Sequence, residues 1–252
     1  MNRVTGKDAY LKRHVLLDIT DSSRQRLVDE LAATVGVDVA GRSYAQILLP
    51  QRAGARIPGI VRRDETERAG DRIPVGFSSP WHDADGRMRV AAYVDGADII
   101  RITAPYELLV DNFTHRNHCM NALAVCRDAA NEIDLDIGVW GSAALELYSG
   151  LPYTHDESDL DLLVAPAPQT VLAAFLKSII AVENRFGLRI DVEVDLDSGY
   201  GVHLKELLGN GRTLLGKSRC DVALLTRTQV LAALPIDPLS APKAYFAGAA
   251  NG

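Results

Sequence analysis

The chain has 252 residues, of which 47% are hydrophobic and 24% are charged, which suits a folded protein of one large or two small domains. Its mean hydropathy is zero, and no segment approaches the roughly 20 apolar residues of a membrane span, which excludes a membrane partner. The start of the chain lacks the features of a signal peptide. Three cysteines argue against a disulfide framework. We therefore expect a cytoplasmic protein.

The net charge of −6 is unevenly distributed along the chain. Residues 1–105 carry 16 Lys and Arg against 14 Asp and Glu, whereas residues 106–252 carry 11 against 19. A protein that binds nucleic acid usually has a basic surface, so the net negative charge excludes nucleic acid as a partner. Seven arginines and no lysine lie in 42–72. Arginine suits phosphate or carboxylate, but interleaved acidic residues also allow a salt-bridged loop.

The first hundred residues predict a small α+β domain. Short apolar runs separated by Gly, Pro and Asp turns predict short strands, one of them over 44–49. A helix is expected over 21–35, with Asp21 or Ser22 as its cap and Gly36 after its end.

A different pattern begins near Pro105, where we place the boundary between domain 1–105 and domain 106–252. A long helix is expected over 106–130. Further strands are expected at 136–140, 158–165, 188–196, 213–217 and 221–226, with helices at 141–150, 169–187, 202–208 and 226–235. The alternation predicts a mixed α/β sheet, and hence an α+β chain overall.

Two carboxylates interrupt the apolar run at 158–165. Asp159 and Asp161 occupy alternate strand positions, so their side chains share one face about 6.6 Å apart. Carboxylates that repel each other are usually compensated by a cation, and oxygen ligands favour Mg²⁺ or Mn²⁺. An acidic turn at an edge strand is the alternative interpretation.

The neighbouring segments complete this interpretation. The strand at 188–196 carries Asp191, Glu193 and Asp195 on one face, and spacing alone does not decide which of them joins a metal site. Gly141 and Ser142 begin a helix directly after a strand, and the free N–H groups of a helix start bind phosphate. The order of these features predicts phosphoryl transfer assisted by two metal ions.

This pattern resembles the nucleotidyltransferase superfamily of the polymerase-β type, on Trp140-Gly141-Ser142, Asp159-Leu160-Asp161 and Glu193. The 16 residues between Ser142 and Asp159 are more than that superfamily usually has. A narrower likeness has this spacing: "GSAALELYSGLPYTHDESDLDLL" resembles the phosphoribosyl-dephospho-CoA transferase, or holo-acyl-carrier-protein synthase, of malonate decarboxylase. Val192 and Leu204 depart from that family, which tends to have Gly and Trp there.

The resemblance implies an activity and a set of roles. Members of the family transfer phosphoribosyl-dephospho-CoA from triphosphoribosyl-dephospho-CoA to a serine of an apo acyl carrier subunit and release pyrophosphate. The implied metal ligands are Asp159, Asp161 and Glu193, which would bind Mg²⁺, and Glu193 is also a candidate base. The resemblance further implies phosphate binding by Gly141 and Ser142 and charge neutralisation by Lys217. It implies contacts with the donor or the carrier for Arg62, Arg63 and Arg89. Alternatives are a surface position for Lys217 and the arginines, an adenylyltransferase, or a non-catalytic module that binds the carrier.

Overall fold

The computed structural model describes residues 12–35, 40–50, 54–63, 72–83, 86–109 and 113–236. Within these ranges the chain forms two β-sheets and seven α-helices. The mixed α+β class predicted from the sequence is confirmed. No helix in these ranges is long and apolar enough to cross a membrane.

The first sheet has five strands, all paired antiparallel, in the order β4-β3-β2-β1-β5. The strands are β1 (Leu16–Ile19), β2 (Gly59–Val61), β3 (Ile73–Asp83), β4 (Gly86–Val94) and β5 (Ile99–Thr103), and the helices are α1 (Asp21–Val35) and α2 (Ala40–Leu48). Apolar side chains at alternating strand positions, such as Leu17, Ile19, Val75 and Phe77, form a buried core with the two helices. Alternation thus decides which strand face is buried.

Two local predictions in this half need correction. The helix over 21–35 is confirmed, but Thr20 caps it, because its Oγ1 accepts a hydrogen bond from the Ser23 N–H at 3.2 Å. The predicted strand over 44–49 is wrong, since most of it belongs to α2. Ile47 and Leu48 are adjacent and both fully buried against the sheet, which a helix face allows and an alternating strand does not.

The arginine-rich segment 42–72 divides between two roles. Arg56 binds Asp18 at 2.8 Å and Asp21 at 2.5 Å, and both acids lie outside this segment. The interleaved acids Asp64, Glu65, Glu67 and Asp71 lie outside the described residues, so the salt-bridged loop stays a prediction. Arg62 lies beside the site described below. The side chains of Arg42, Arg52 and Arg68 lie outside the described residues.

The second sheet has six strands in the order β11-β10-β9-β8-β7-β6, in which only β7 and β8 pair in parallel. Its strands are β6 (Ile137–Trp140), β7 (Leu160–Val164), β8 (Ile190–Asp195), β9 (Gly201–His203), β10 (Thr213–Lys217) and β11 (Val222–Thr226). The helices are α3 (His118–Asn131), α4 (Gly141–Ser149), α5 (Gln169–Phe186), α6 (Leu204–Leu207) and α7 (Arg227–Ala233). The helix predicted over 202–208 is therefore a short strand followed by one helical turn.

The long helix predicted over 106–130 is also wrong in its first half. Pro105–Glu107 forms a single 3₁₀ turn, and residues 113–117 are not helical. The helix begins only after Asn117, whose side chain accepts a hydrogen bond from the Met120 N–H at 2.9 Å. An asparagine that satisfies the first free N–H groups favours a helix start at this point.

The two faces of the second sheet have different environments. On one face, Leu160, Leu162 and Val192 are buried under α3 and α5. On the other face, the turn at Pro105–Tyr106 lies directly on β6, because Gly138 has no side chain: a Cβ there would come within 3.1 Å of the Tyr106 nitrogen. This second face carries the predicted carboxylates, and we call it the acid face.

Candidate active site

The Gly-Ser pair begins α4 at the edge of the acid face. Gly141 has φ of +68°, which favours glycine, and a Cβ at this position would overlap the carboxylate of Asp161. The hydroxyl of Ser142 accepts a hydrogen bond from Arg87 Nη1 at 2.8 Å. The predicted helix start is therefore confirmed, and its glycine is needed because the backbone lies against a predicted metal ligand.

The carboxylates meet at the centre of the acid face. In the strand register Asp161 lies opposite both Trp140 on β6 and Asp191 on β8, and Asp159 directly precedes β7. Burial, followed by the charges of Asp191 and Asp159, raises the pKa of Asp161 to about 7. The structure thus places three acidic residues near one another on the acid face.

A cation from the chain already contacts two of these carboxylates. Arg189 Nη2 lies 2.8 Å from Asp159 and 3.0 Å from Asp191, and its side chain is 63% exposed. The imidazole of His203 lies 3.4 Å from the other carboxylate oxygen of Asp191. Because exposed ion pairs are weak, Arg189 is a replaceable partner rather than a fixed one.

The carboxylates fit a hard divalent cation by their chemistry, since Mg²⁺ prefers oxygen ligands. As the side chains stand, no three acidic, histidine or cysteine residues in the described part of the chain converge on one point that could hold a metal ion. Arg189 spans the gap between Asp159 and Asp191 instead. Metal binding at this point therefore requires Arg189 to turn outward.

Glu193 lies further along β8, opposite Leu163 rather than Asp161. Arg13 Nη1 binds its carboxylate at 2.9 Å, His14 Nε2 lies 3.5 Å away and Lys217 Nζ lies 3.8 Å away. Burial opposes ionisation, but the contacts with His14 and Arg13 outweigh it and lower the pKa of Glu193 to about 2.

This position bears on the predicted role of Glu193 as third metal ligand. The register sets Asp191, not Glu193, beside Asp161, and Glu193 is already neutralised by cations. A carboxylate with a pKa of about 2 is also a poor base at neutral pH. The arrangement favours Asp191 as the third ligand, and the ligation by Glu193 stays a prediction.

A cavity of about 420 Å³ opens between the first sheet and the start of α4. Its polar lining comprises Arg62, Arg87, Arg89, Ser78 and Ser142, beside an apolar floor that includes Phe77. We call it the arginine cavity. It places the predicted Arg62 and Arg89 with the Gly-Ser pair, whereas Arg63 does not line it. Arg87 was missed in the sequence, where nothing distinguished it from other arginines.

The segment between α4 and Asp159 is held by a buried carboxylate. Glu146 accepts hydrogen bonds from the backbone N–H groups of Tyr153 at 3.0 Å and Thr154 at 2.7 Å. Arg116 binds Glu146 with two nitrogens, at 2.7 and 2.8 Å. Arg87 also donates to the Tyr153 carbonyl at 2.7 Å. The long spacer is therefore an ordered loop that fixes the approach to Asp159.

Comparison with known proteins bears on the identity of this site. A family model described as the phosphoribosyl-dephospho-CoA transferase MdcG N-terminal domain matches residues 12–105, and one for the C-terminal domain of the same transferase matches residues 108–228. The chain belongs to the phosphoribosyl-dephospho-CoA transferase family. It is therefore an enzyme of the transferase class, as the sequence predicted.

Individual relatives agree with the family models. A phosphoribosyl-dephospho-CoA transferase of Xanthomonas axonopodis pv. citri is 32% identical over 191 residues, covering 76% of this chain and 89% of the relative. Those of Klebsiella pneumoniae (strain 342) and Bradyrhizobium diazoefficiens are 31% and 28% identical, covering 70% and 74% of this chain and 83% and 81% of their own. No solved structure matches the chain.

Proposed function

We propose that this transferase moves the 2′-(5″-phosphoribosyl)-3′-dephospho-CoA unit from 2′-(5″-triphosphoribosyl)-3′-dephospho-CoA to a serine of the apo acyl carrier subunit of malonate decarboxylase. Pyrophosphate is the second product. Membership of the family supports phosphoribosyl-dephospho-CoA as the group that is transferred. The observation that carries the proposal is the contact between Gly141 and the Asp161 carboxylate, because it joins a phosphate-binding helix start to the acidic centre.

The proposed reaction forms one bond at phosphorus and breaks another. The serine oxygen forms a bond to the α-phosphorus of the donor, and the bond from that phosphorus to the bridging oxygen breaks. The electron pair leaves with pyrophosphate, and the serine proton passes to a carboxylate or to solvent. Most of the rate enhancement in such a displacement comes from positioning and charge stabilisation.

The arginine cavity suits the leaving pyrophosphate. It adjoins Gly141 and Ser142 and supplies the guanidinium groups of Arg62 and Arg89, whose planar donors match phosphate oxygens. Arg87 orients the Ser142 hydroxyl through its 2.8 Å hydrogen bond. The cavity therefore offers charge where negative charge accumulates during the reaction.

Asp159 and Asp161 are the proposed ligands of Mg²⁺, with Mn²⁺ as a substitute and with Asp191 or Glu193 as the third ligand. The bound cation would offset the negative charge of the transferred phosphoryl group. The proposal needs Arg189 to leave Asp159, which its exposure permits.

Two further residues have proposed roles away from the arginine cavity. Lys217 lies on the acid face, with its Nζ 3.8 Å from Glu193, and adds positive charge near the donor. Arg63 follows β2 outside the cavity, so a contact with the carrier protein is the role that we retain for it.

Donor choice tests this function. Pyrophosphate release would be measured with the apo carrier subunit, Mg²⁺ and either triphosphoribosyl-dephospho-CoA or ATP. We expect release only from the first donor, and only when the carrier retains its acceptor serine. Release from ATP, at a rate comparable to that from the first donor, would support an adenylyltransferase instead.

A further inference from the structure

A second cavity, of about 370 Å³, opens on the acid face and is separate from the arginine cavity. Its lining includes Lys12, His14, Tyr106, Leu163, Asp195 and Arg219. We call it the base cavity. Its volume lies at the lower end of the roughly 300–1,000 Å³ that is usual for small-molecule sites. Of the residues that line it, only Glu193 has a role proposed above.

The strand register gives its place relative to the acids. Leu163 and Ala165 line the base cavity and follow Asp161 by two and four residues along the same strand direction. At about 3.3 Å per residue they lie roughly 7 and 13 Å beyond Asp161. Gly141, which lines the arginine cavity, is at the opposite side of Asp161. The acids therefore lie between the two cavities.

One residue that lines the base cavity, Tyr106, has a buried hydroxyl without a partner. The Tyr106 hydroxyl is buried and has no hydrogen-bond partner among the described residues. The main chain of Tyr106 cannot move closer to β6, because Pro105 and Tyr106 already contact Gly138. Buried polar groups are nearly always hydrogen-bonded, so an unpaired hydroxyl on a residue that borders a cavity points to a missing partner.

A second buried polar atom in this cavity is only weakly satisfied. His14 Nε2 has no partner within hydrogen-bond geometry in the described ranges, and the Glu193 carboxylate lies 3.5 Å away from it. His14 adopts φ of +65°, and its ring packs against that of Trp140 at a tilt of 32°, with ring centroids 4.0 Å apart. The fold thus holds this ring at the wall of the cavity in a backbone conformation that is uncommon for histidine.

The charges of the lining favour a neutral occupant. The cations are Lys12, Arg13 and Arg219, and the anions are Glu193, Asp195 and Asp197. Because these charges balance, the cavity lacks the net positive charge that would favour a phosphate. A group with both donors and acceptors on one flat edge matches it better, and a nucleobase is such a group.

We propose that the base cavity binds the adenine of the dephospho-CoA moiety of the donor. The Tyr106 hydroxyl donates to a ring nitrogen, and the Asp195 carboxylate accepts from the exocyclic amine. This assignment rests on the proposed function. It fits the length of the donor: about nine covalent bonds of roughly 1.5 Å link the α-phosphorus to the base, and they span ~11 Å when extended.

Binding of 3′-dephospho-CoA to the full chain tests the assignment. Calorimetry in EDTA would compare this compound with its hypoxanthine analogue, which lacks the exocyclic amine. We expect the analogue to bind about tenfold more weakly, since a site built for a donor is left with an unpaired acceptor. Equal affinity for the two compounds, or no binding of 3′-dephospho-CoA, would overturn the assignment.

Three variants locate the binding. Tyr106→Phe should weaken 3′-dephospho-CoA about five- to tenfold, and Ala165→Leu, which fills the cavity, should abolish binding. Tyr93→Phe, in β4 of the first sheet, makes the same chemical change elsewhere and should have no effect. Melting temperatures separate binding from folding, because loss of an unpaired hydroxyl should not lower the stability of Tyr106→Phe.

The outcomes also separate this assignment from the proposed function. If both Tyr106→Phe and Ala165→Leu bind 3′-dephospho-CoA as the unmodified chain does, the base lies elsewhere. Transfer to the carrier by the unmodified chain would then still support the function. Competition by pantetheine, but not by adenosine 5′-monophosphate, would likewise reject adenine as the occupant.

Discussion

The substitution Gly141→Ala perturbs the contact between the start of α4 and Asp161, and the structure allows its cost in stability and in rate to be estimated. An L-residue at φ of +68° costs about 1–2 kcal/mol. For a chain of this size that corresponds to a loss of about 2–8 °C in melting temperature. The new Cβ would also overlap the Asp161 carboxylate, which must move aside. Because a 1 Å displacement of a reacting group can cost about 100-fold, we expect at least that loss in transfer rate.

Gly187→Ala provides a matched control. Gly187 ends α5 with the same φ of +68°, and a Cβ there meets nothing within 4 Å. It should therefore lose similar stability but keep its transfer rate. Single-turnover transfer and thermal unfolding followed by circular dichroism would be measured for both variants. A Gly141→Ala protein with transfer within twofold of the unmodified chain would refute the reasoning, as would an equal loss of activity in Gly187→Ala.

Three more predictions concern the acids and their support. Asp191→Asn should weaken Mn²⁺ binding at least ~100-fold, because loss of a direct ligand should cost no less than the largest outer-shell changes. Glu193→Gln should leave Mn²⁺ binding unchanged. Electron paramagnetic resonance of free Mn²⁺ measures both effects. Arg189→Ala should raise Mn²⁺ affinity about two- to fivefold, because an exposed ion pair competes weakly with the metal. Glu146→Gln should lower unfolding free energy by about 2 kcal/mol at neutral pH, less than for a fully buried pair because Arg116 is partly exposed.

The Glu146 variant has a definite pH dependence. Burial raises the pKa of Glu146, but hydrogen bonds from Arg116 and Thr154 outweigh it and hold the pKa below the ordinary 4.5. The ionised carboxylate therefore stabilises the fold above pH 4.5, and this contribution is lost as pH falls through the lowered pKa. The difference in melting temperature between Glu146→Gln and the unmodified chain should shrink in that acidic range. A difference that stays constant down to pH 3 would contradict the assignment.

The metal predictions have their own contradicting results. Loss of Mn²⁺ binding in Glu193→Gln with retention in Asp191→Asn would restore Glu193 as the third ligand. An Arg189→Ala protein with unchanged Mn²⁺ affinity would mean that the arginine does not compete with the metal. Lys177, on α5 and away from these acids, offers a control for removal of an exposed positive charge.

The local sequence pattern was sufficient to predict much of the second sheet. Alternating apolar residues gave β7 and β8, and the helical spacing after Gln169 gave α5, because each element buries one face against the same core. The Gly-Ser pair and the two aspartates were found because glycine and paired carboxylates are unusual at these positions. Their chemistry could be predicted before their distances were known.

Tertiary pairing decided what local pattern could not. The choice between Asp191 and Glu193 depends on the register of two parallel strands, which no spacing within one strand contains. The ion pair between Arg13 and Glu193 joins residues 180 positions apart. Arg87 likewise reaches Ser142 from another sheet. Such contacts leave no periodic signal in the sequence.

The most direct test of the central claim is the intact mass of the apo acyl carrier subunit after incubation with this protein, Mg²⁺ and triphosphoribosyl-dephospho-CoA. We predict a gain of one phosphoribosyl-dephospho-CoA on a serine, abolished by EDTA and by Asp161→Asn, but retained by Asp156→Asn in the preceding loop. An unmodified carrier after incubation with the unmodified protein would contradict the proposed function. Full modification by Asp161→Asn would contradict the catalytic role of the acid face.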